Sequence, residues 1–200
     1  MKTRDRIVET AKRLFNESGT GSVTTNHIAA AAGISPGNLY YHFRNKEDII
    51  RAIFDEMVAY GREGFTSIAF APVSDPLRSM EEIFRFIQNF NRRYIFFKRE
   101  LPSLVLGDPL LKERYKASHQ ATLALVRASV DRAVQTGFLR PLDEEERQGL
   151  AEMSWLIALF WINYLEVSGE KIDESSLERG IAISRMLIEA FMGREGMSRE

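Results

Sequence analysis

Apolar residues recur at three- and four-residue intervals along almost the whole chain, and no stretch shows the two-residue alternation of a half-buried strand bounded by turn residues. This pattern predicts an all-α protein. The first helix sets Ile7, Val8, Ala11, Leu14 and Phe15 on one face and stops at Ser18-Gly19, where glycine can turn left-handed; residues 19–21 then read as a loop. Thr24 or Thr25 caps a short second helix that carries Ile28, Ala29 and Ala32 inward and ends at Gly33. Ser35-Pro36, a capping residue followed by proline at the first helical position, opens a third short helix through Leu39 and Phe43. Asn45 caps a fourth, with Asp48 in its first turn, and this helix runs past Ile49, Ile53 and Met57.

Farther on, FAPVSDP at 70–76 interrupts the periodicity with two prolines. A second helical unit is expected beyond it. It comprises a helix over 76–98, a broken region through Pro102, Gly107 and Pro109, a long helix over 110–136, a turn from Gly137 to Pro141, and helices over 143–168 and 174–192. The closing GREGMSRE has no apolar face and is expected to fray. The functional boundary is placed inside the fourth helix, giving domains over 1–48 and 49–200.

Composition narrows the chemistry. With 44% apolar and 28% charged residues, the 200-residue chain can bury a substantial core. It has no cysteine, which excludes a disulfide framework, a thiol nucleophile, a zinc finger and an iron–sulfur site. Its three histidines, at 27, 42 and 119, lack metal-ligand spacing, so neither a metal nor a cofactor is expected. There is no nucleophile–base motif and no phosphate-cradling glycine loop, which argues against an enzyme. The basic start MKTRDR leads into an amphipathic stretch rather than a signal peptide. The longest uncharged apolar run, 153–165, falls short of the roughly 20 residues of a bilayer span, so the expectation is a cytoplasmic protein with no membrane partner.

Charge changes the picture once it is divided by region. Lys plus Arg number 27 and Asp plus Glu 28, yet residues 1–46 hold seven basic and three acidic side chains, a surplus of four, which leaves minus five elsewhere. The basic end can face a polyanion while the remainder discourages nonspecific coating.

That basic end carries the candidate motif. The second and third helices are short and joined around a glycine, the pattern of a helix-turn-helix, whose second helix lies in the DNA major groove. The third helix would present Ser35, Pro36, Gly37, Asn38, Tyr41 and His42 outward, with Ile34, Leu39 and Phe43 inward. Asn38 can pair bidentately with adenine, the ring of Pro36 can touch a thymine methyl, and Gly37 permits close backbone approach.

The string TTNHIAAAAGISPGNLYYHFRNK, residues 24–46, resembles the DNA-binding signature of the tetracycline-repressor (TetR-like) family of bacterial regulators. The resemblance rests on Thr25, Ile28-Ala29, Ala32-Gly33-Ile34-Ser35, Gly37, Leu39-Tyr40, His42-Phe43 and Lys46. It implies an N-terminal three-helix helix-turn-helix domain joined by a long fourth helix to a C-terminal helical ligand-binding and dimerisation domain. Phosphate contacts are implied for Thr25, Tyr40, Tyr41, His42 and Lys46, and base contacts for Asn26, Pro36, Gly37 and Asn38. The implied function is a ligand-responsive regulator, a repressor, that binds a palindromic double-stranded DNA operator as a homodimer and is released by a small, largely apolar or aromatic effector. Asn26 and Gly37 stand where family members can carry long or basic side chains, so no operator preference is carried over.

Aromatic residues supply the effector candidates. Phe84, Phe86, Phe90, Tyr94, Phe96 and Phe97 form one group, and Trp155, Phe160, Trp161 and Tyr164, with Asn163 among them, form another. Each group either lines a pocket or fills a core. Phe84, Phe90, Tyr94, Phe97, Trp155, Phe160, Trp161, Asn163 and Tyr164 are the candidates taken from them, joined by Tyr115 and His119 from the long middle helix. The last two helices offer dimer material in Trp155, Leu156, Leu159 and Ile162 and in Ile181, Met186, Leu187, Ile188 and Phe191; the pattern leaves open which faces are core and which are interface. The alternative is a DNA-tethered adaptor whose C-terminal domain binds a protein partner.

Overall fold

The computed structural model describes residues 2–71 and 75–193. Among these the chain is helical throughout, with one isolated antiparallel bridge between Leu139 and Met192. The helices are α1 (Thr3–Ser22), α2 (Thr25–Ala31), α3 (Pro36–His42), α4 (Lys46–Ala69), α5 (Pro76–Arg93), α6 (Ile95–Arg99), α7 (Leu101–Gly107), α8 (Pro109–Gln135), α9 (Glu144–Val167) and α10 (Glu174–Glu189). The all-α expectation holds. The centre of the two-proline interruption, 72–74, and the terminal 194–200 lie outside the described residues.

The helices gather into two units, one formed by the chain up to Tyr60 together with Arg93–Tyr115, the other by Gly61–Arg92 and the chain from Lys116 onward. The first unit is therefore larger than the 1–48 domain expected from the sequence. Its core explains why. Ile7, Val8, Ala11 and Phe15 of α1 are buried with Ile28 and Ala29 of α2, Leu39 of α3, and Ile49, Ile50, Ile53, Phe54 and Met57 of α4. Phe96 and Phe97 of α6 are as deeply buried; Phe96 lies 5.3 Å from Phe15 and Phe97 stacks 5.4 Å from Phe54, centroid to centroid. At about 1.5–3 kcal/mol for each large side chain removed from water, these two rings bind α6 into the N-terminal core as firmly as its own helices.

A second, polar row runs along α1. Lys12 and Asn16 are four residues apart on one face of the helix, and Thr20 follows the kink at Gly19. The Lys12 ammonium, counted by sequence among the charges of the DNA-facing end, is buried and donates to Glu9 (2.5 Å) and Glu56 (2.8 Å). Tyr94 also donates its hydroxyl proton to Glu56, at 2.9 Å. Burial pushes the Glu56 carboxyl up, but the hydrogen bonds from Lys12 and Tyr94 and the neighbouring positive charges outweigh it and hold the group below the usual carboxylate range.

Asn16 spans a helix break. Its amide donates to Arg93 O at 2.9 Å and its carbonyl accepts from Phe96 N–H at 3.2 Å, on either side of Tyr94, whose ψ of 39 separates α5 from α6. One side chain thus satisfies an orphan carbonyl at the end of one helix and an orphan N–H at the start of the next. This is where the helix expected over 76–98 divides. Thr20 completes the row: its N–H donates to Glu100 at 2.9 Å and its hydroxyl to the same carboxylate. Gly19 takes the expected left-handed turn, with φ 73, but residues 20–22 close a further helical turn rather than a loop.

In the second unit Phe84, Ala158, Trp161, Leu165 and Ile181 form one buried cluster, and Val130, Leu139, Leu142 and Leu150 another. A Cβ at Gly180 would stand 2.4 Å from Phe84 Cζ and 2.7 Å from Trp161 Nε1, so the missing side chain is what lets α10 close on these rings. Trp161 Nε1 donates to Ser176 O at 3.0 Å. Gln88 and Asn91, fully buried on α5, both donate to Ala158 O, at 2.9 and 3.0 Å. The acidic run at 143–146 starts α9, as its position implied: Asp143 accepts from Glu146 N–H at 2.8 Å and Glu146 accepts from Asp143 N–H at 3.1 Å. Taken whole, α9 is long and apolar enough to cross a bilayer by length and composition, although its uncharged run is not. Its apolar residues divide between the core, at Ala158, Trp161, Ile162 and Leu165, and an exposed stripe at Met153, Leu156, Phe160, Tyr164 and Val167.

Candidate nucleic-acid interface

The reading helix is set by its two ends. At the close of α2, Gly33 N–H donates to Ala30 O (3.1 Å) and Ile34 N–H to Ala29 O (3.0 Å), a paired closure that requires the left-handed φ of 63 at Gly33. Ser35 then caps α3 by accepting from Asn38 N–H at 3.2 Å, with Pro36 at the first helical position. Thr24, rather than Thr25, caps α2, in a reciprocal pair with His27.

Within α3 only Leu39 is buried, and Phe43, the residue that caps it, is buried four positions later. The tyrosines between them turn outward. Ser35, Pro36, Gly37 and Asn38 are exposed, as is Asn26 on α2, while His42 is half-buried. Tyr41 is 84% exposed and meets His42 edge-on at 5.1 Å; Tyr40 is 50% exposed, so its ring is not a core residue. The Tyr40 hydroxyl lies 3.0 Å from Thr25 Oγ1, which ties the reading helix to the start of α2.

Lys46 departs from expectation. Instead of projecting from the surface as a phosphate contact, its ammonium donates to Thr20 O at 2.6 Å and Val23 O at 3.2 Å. The positive charge satisfies carbonyls at the end of α1, where the helix dipole also favours a cation. Nothing in the spacing of the motif distinguishes these two uses of a lysine.

Two cations that lie outside α2 and α3 stand nearby. The Arg4 guanidinium lies over the Phe43 ring, 5.1 Å from its centroid, and Arg44 follows Phe43 directly. The sequence shows them only as charges, because the contact between the start of α1 and the end of α3 joins positions far apart in the chain.

The aromatic candidates divide between the two units. Tyr94 and Phe97 are fully buried in the N-terminal unit, and Tyr115 packs against Phe54 there at 6.2 Å, so these three do not line a pocket of the C-terminal unit. Phe84 and Trp161 belong to the packed cluster beside α10. Phe160 and Tyr164 point outward from α9, being 42% and 53% exposed. Phe90, His119, Trp155 and Asn163 are half-buried in the C-terminal unit, with the His119 and Trp155 rings 4.6 Å apart. Of the dimer candidates, Ile162 and Ile181 are core, whereas Leu156 and Met186 are exposed.

A tight glycine corner, a capped seven-residue helix and an outward face of small and polar groups define a helix-turn-helix DNA-binding protein. Comparison with known proteins gives the family. The description "Bacterial regulatory proteins, tetR family" matches residues 7–53, and "Bacterial transcriptional repressor" matches residues 66–199. The chain belongs to the TetR family of bacterial transcriptional regulators, which are regulators and not enzymes.

The HTH-type transcriptional regulator TtgR of Pseudomonas putida is 34% identical over 94 residues, 45% of this chain and 42% of that protein. The match therefore spans less than half the length of that curated relative. A TetR-family regulator from Marinobacter aquaeolei VT8 is 33% identical over 100% of this chain and 95% of its own, with a TM-score of 0.84. AibR, solved in complex with isovaleryl coenzyme A and operator DNA, shares the fold at 20% identity and a TM-score of 0.69, over 91% of this chain and 97% of its own.

Proposed function

We propose that this protein is a cytoplasmic, ligand-responsive repressor that binds a two-fold symmetric operator as a homodimer. The observation that carries the DNA reading is Gly37. A Cβ there would meet nothing within 4 Å and its φ is not left-handed, so the fold has no need of glycine at an exposed helical position. An outside partner that approaches the backbone closely does need it. In this reading Thr25, Tyr40, Tyr41 and His42 contact phosphates, Asn26, Pro36, Gly37 and Asn38 meet base edges, and Ser35 and Lys46 hold the frame.

The exposed stripe Met153, Leu156, Phe160, Tyr164 and Val167 on α9, with Ile183 and Met186 on α10, forms the dimer face. Two such helices from each subunit make a four-helix bundle, as in the family. Two reading helices must then match successive major grooves, about 34–36 Å apart. An effector that favours a conformation with another separation releases the operator by shifting populations. Phe90, His119, Trp155 and Asn163 are the effector candidates that remain, and their mix of rings and amide fits a largely apolar or aromatic molecule.

The test is selection from a random duplex library with the full chain, followed by Gly37→Ala. A two-fold sequence should be enriched, and Gly37→Ala should bind it more weakly although alanine raises helix stability by up to about 1 kcal/mol. Failure to enrich any sequence, or an alanine variant that is more stable and binds the operator unchanged, refutes the reading.

A further inference from the structure

We propose that Arg4 and Arg44 form a phosphate clamp beside the C-terminal end of the reading helix, gripping the DNA backbone from positions outside α2 and α3. The proposal rests on the DNA-binding reading above and adds a site to it. A surface groove of about 410 Å3 opens at the end of α3, with Tyr41, His42, Arg4 and Arg44 in its lining. Two further arginines and two carboxylates share that lining, and their charges are already matched. Arg51 donates to Asp48 and to Asp108, and Arg114 donates to Asp55 at 2.6 Å.

Arg4 and Arg44 make no such pair among the described residues. The carboxylate nearest Arg44, Asp48, is engaged by Arg51 and by the Arg44 backbone N–H at 3.1 Å. This second bond fixes the Arg44 backbone just before α4, while its guanidinium acts on Asp48 only as a neighbouring charge, without an ion-pair contact. Arg4 is positioned differently, with its guanidinium 5.1 Å from the centroid of the buried Phe43 ring. Both groups thus line one groove without an internal ion pair to break, whereas the two paired arginines would have to break theirs.

A planar guanidinium fits a phosphate oxygen pair bidentately, and contacts of this kind position a protein on the duplex without reading sequence. Tyr41, 84% exposed, shares the lining and can donate its hydroxyl to the same backbone. The clamp takes a DNA phosphodiester rather than a free phosphate ion.

The experiment is a salt titration of duplex binding by fluorescence anisotropy, using the full chain, the selected operator and a random duplex of equal length. Removing one phosphate interaction should flatten the slope of log K against log salt by about 0.9, so a fourfold rise in salt should weaken each single variant about 3.5-fold less than the parent. Arg4→Ala and Arg44→Ala should each show this on both duplexes, the double variant should show about twice the change in slope, and Arg44→Lys should restore it. The Arg44 guanidinium has no ion-pair partner among the described residues, so Arg44→Ala tests the clamp even where Arg4→Ala loosens α1.

Slopes unchanged in both alanine variants, with the parent still binding operator, overturn the clamp and leave the DNA-binding reading intact. A parent that binds neither duplex at low salt overturns both. Inorganic phosphate at constant ionic strength should not displace the duplex; phosphate competition that vanishes in Arg44→Ala while its salt slope stays at the parental value assigns the groove to a free anion and overturns the clamp.

Discussion

Lys46→Ala separates two roles that one lysine could play at the DNA end. The ammonium makes one short and one long hydrogen bond to carbonyls at the end of α1, at 2.6 and 3.2 Å. A hydrogen bond to a charged group contributes about 1.5–3 kcal/mol, and the longer one adds little. Water can rehydrate part of what is exposed, because Lys46 is only half-buried. The net cost is therefore about 2 kcal/mol, localised to the segment between Gly19 and Thr24. Since about 1.4 kcal/mol is a factor of ten, amide protection there should fall roughly 30-fold in hydrogen exchange. The salt slope of DNA binding should change by less than half of the 0.9 or so expected for a phosphate contact. Unchanged protection with a slope lower by about 0.9 would refute this assignment and return Lys46 to the DNA backbone. Lys46→Arg, which keeps charge and donors, should retain most of the protection.

Two further outcomes test the rest of the molecule. Phe160→Glu places a carboxylate in the exposed α9 stripe and should cost at least about 2 kcal/mol of association, more than 30-fold, so that sedimentation at micromolar protein gives a monomer and operator binding collapses; a persistent dimer would exclude this face. Lys98 on α6 is buried, and burial pushes its ammonium down to about 7 from an ordinary 10.5. Between those pH values the unfolded chain binds the extra proton, so stability should rise with pH across that window, by a few kcal/mol in order of magnitude, and Lys98→Met should abolish the rise in urea unfolding curves measured at several pH values. An identical pH profile in parent and variant would show that Lys98 titrates normally.

Most of the N-terminal architecture is local in origin and is readable as such. A left-handed glycine at 33, a cap and proline at 35 and 36, and apolar residues spaced for short helices mark out α2, the turn and α3 without reference to any distant contact. The same locality makes the outward face of α3 legible, since Leu39 and Phe43 alone are needed to hold it.

Partnership is not legible in the same way. Lys12 and Lys46 read as surface charge, yet one is buried between Glu9 and Glu56 and the other serves the carbonyls of Thr20 and Val23. Tyr94 and Phe97 read as pocket residues and prove to be core of the other unit, because Asn16 and Phe54, far away in sequence, decide what they face. On α9 apolar residues occur on nearly every side, so periodicity could not sort Ile162, which is buried, from Leu156 and Phe160, which are exposed. Helix type and most caps arise from interactions within a few residues, so the chain carries them in its order of amino acids, whereas the break between α5 and α6 is held by Asn16 from far along the chain. Which face is core, which charge is spent internally and where one unit stops depend on groups that meet only when distant segments fold together.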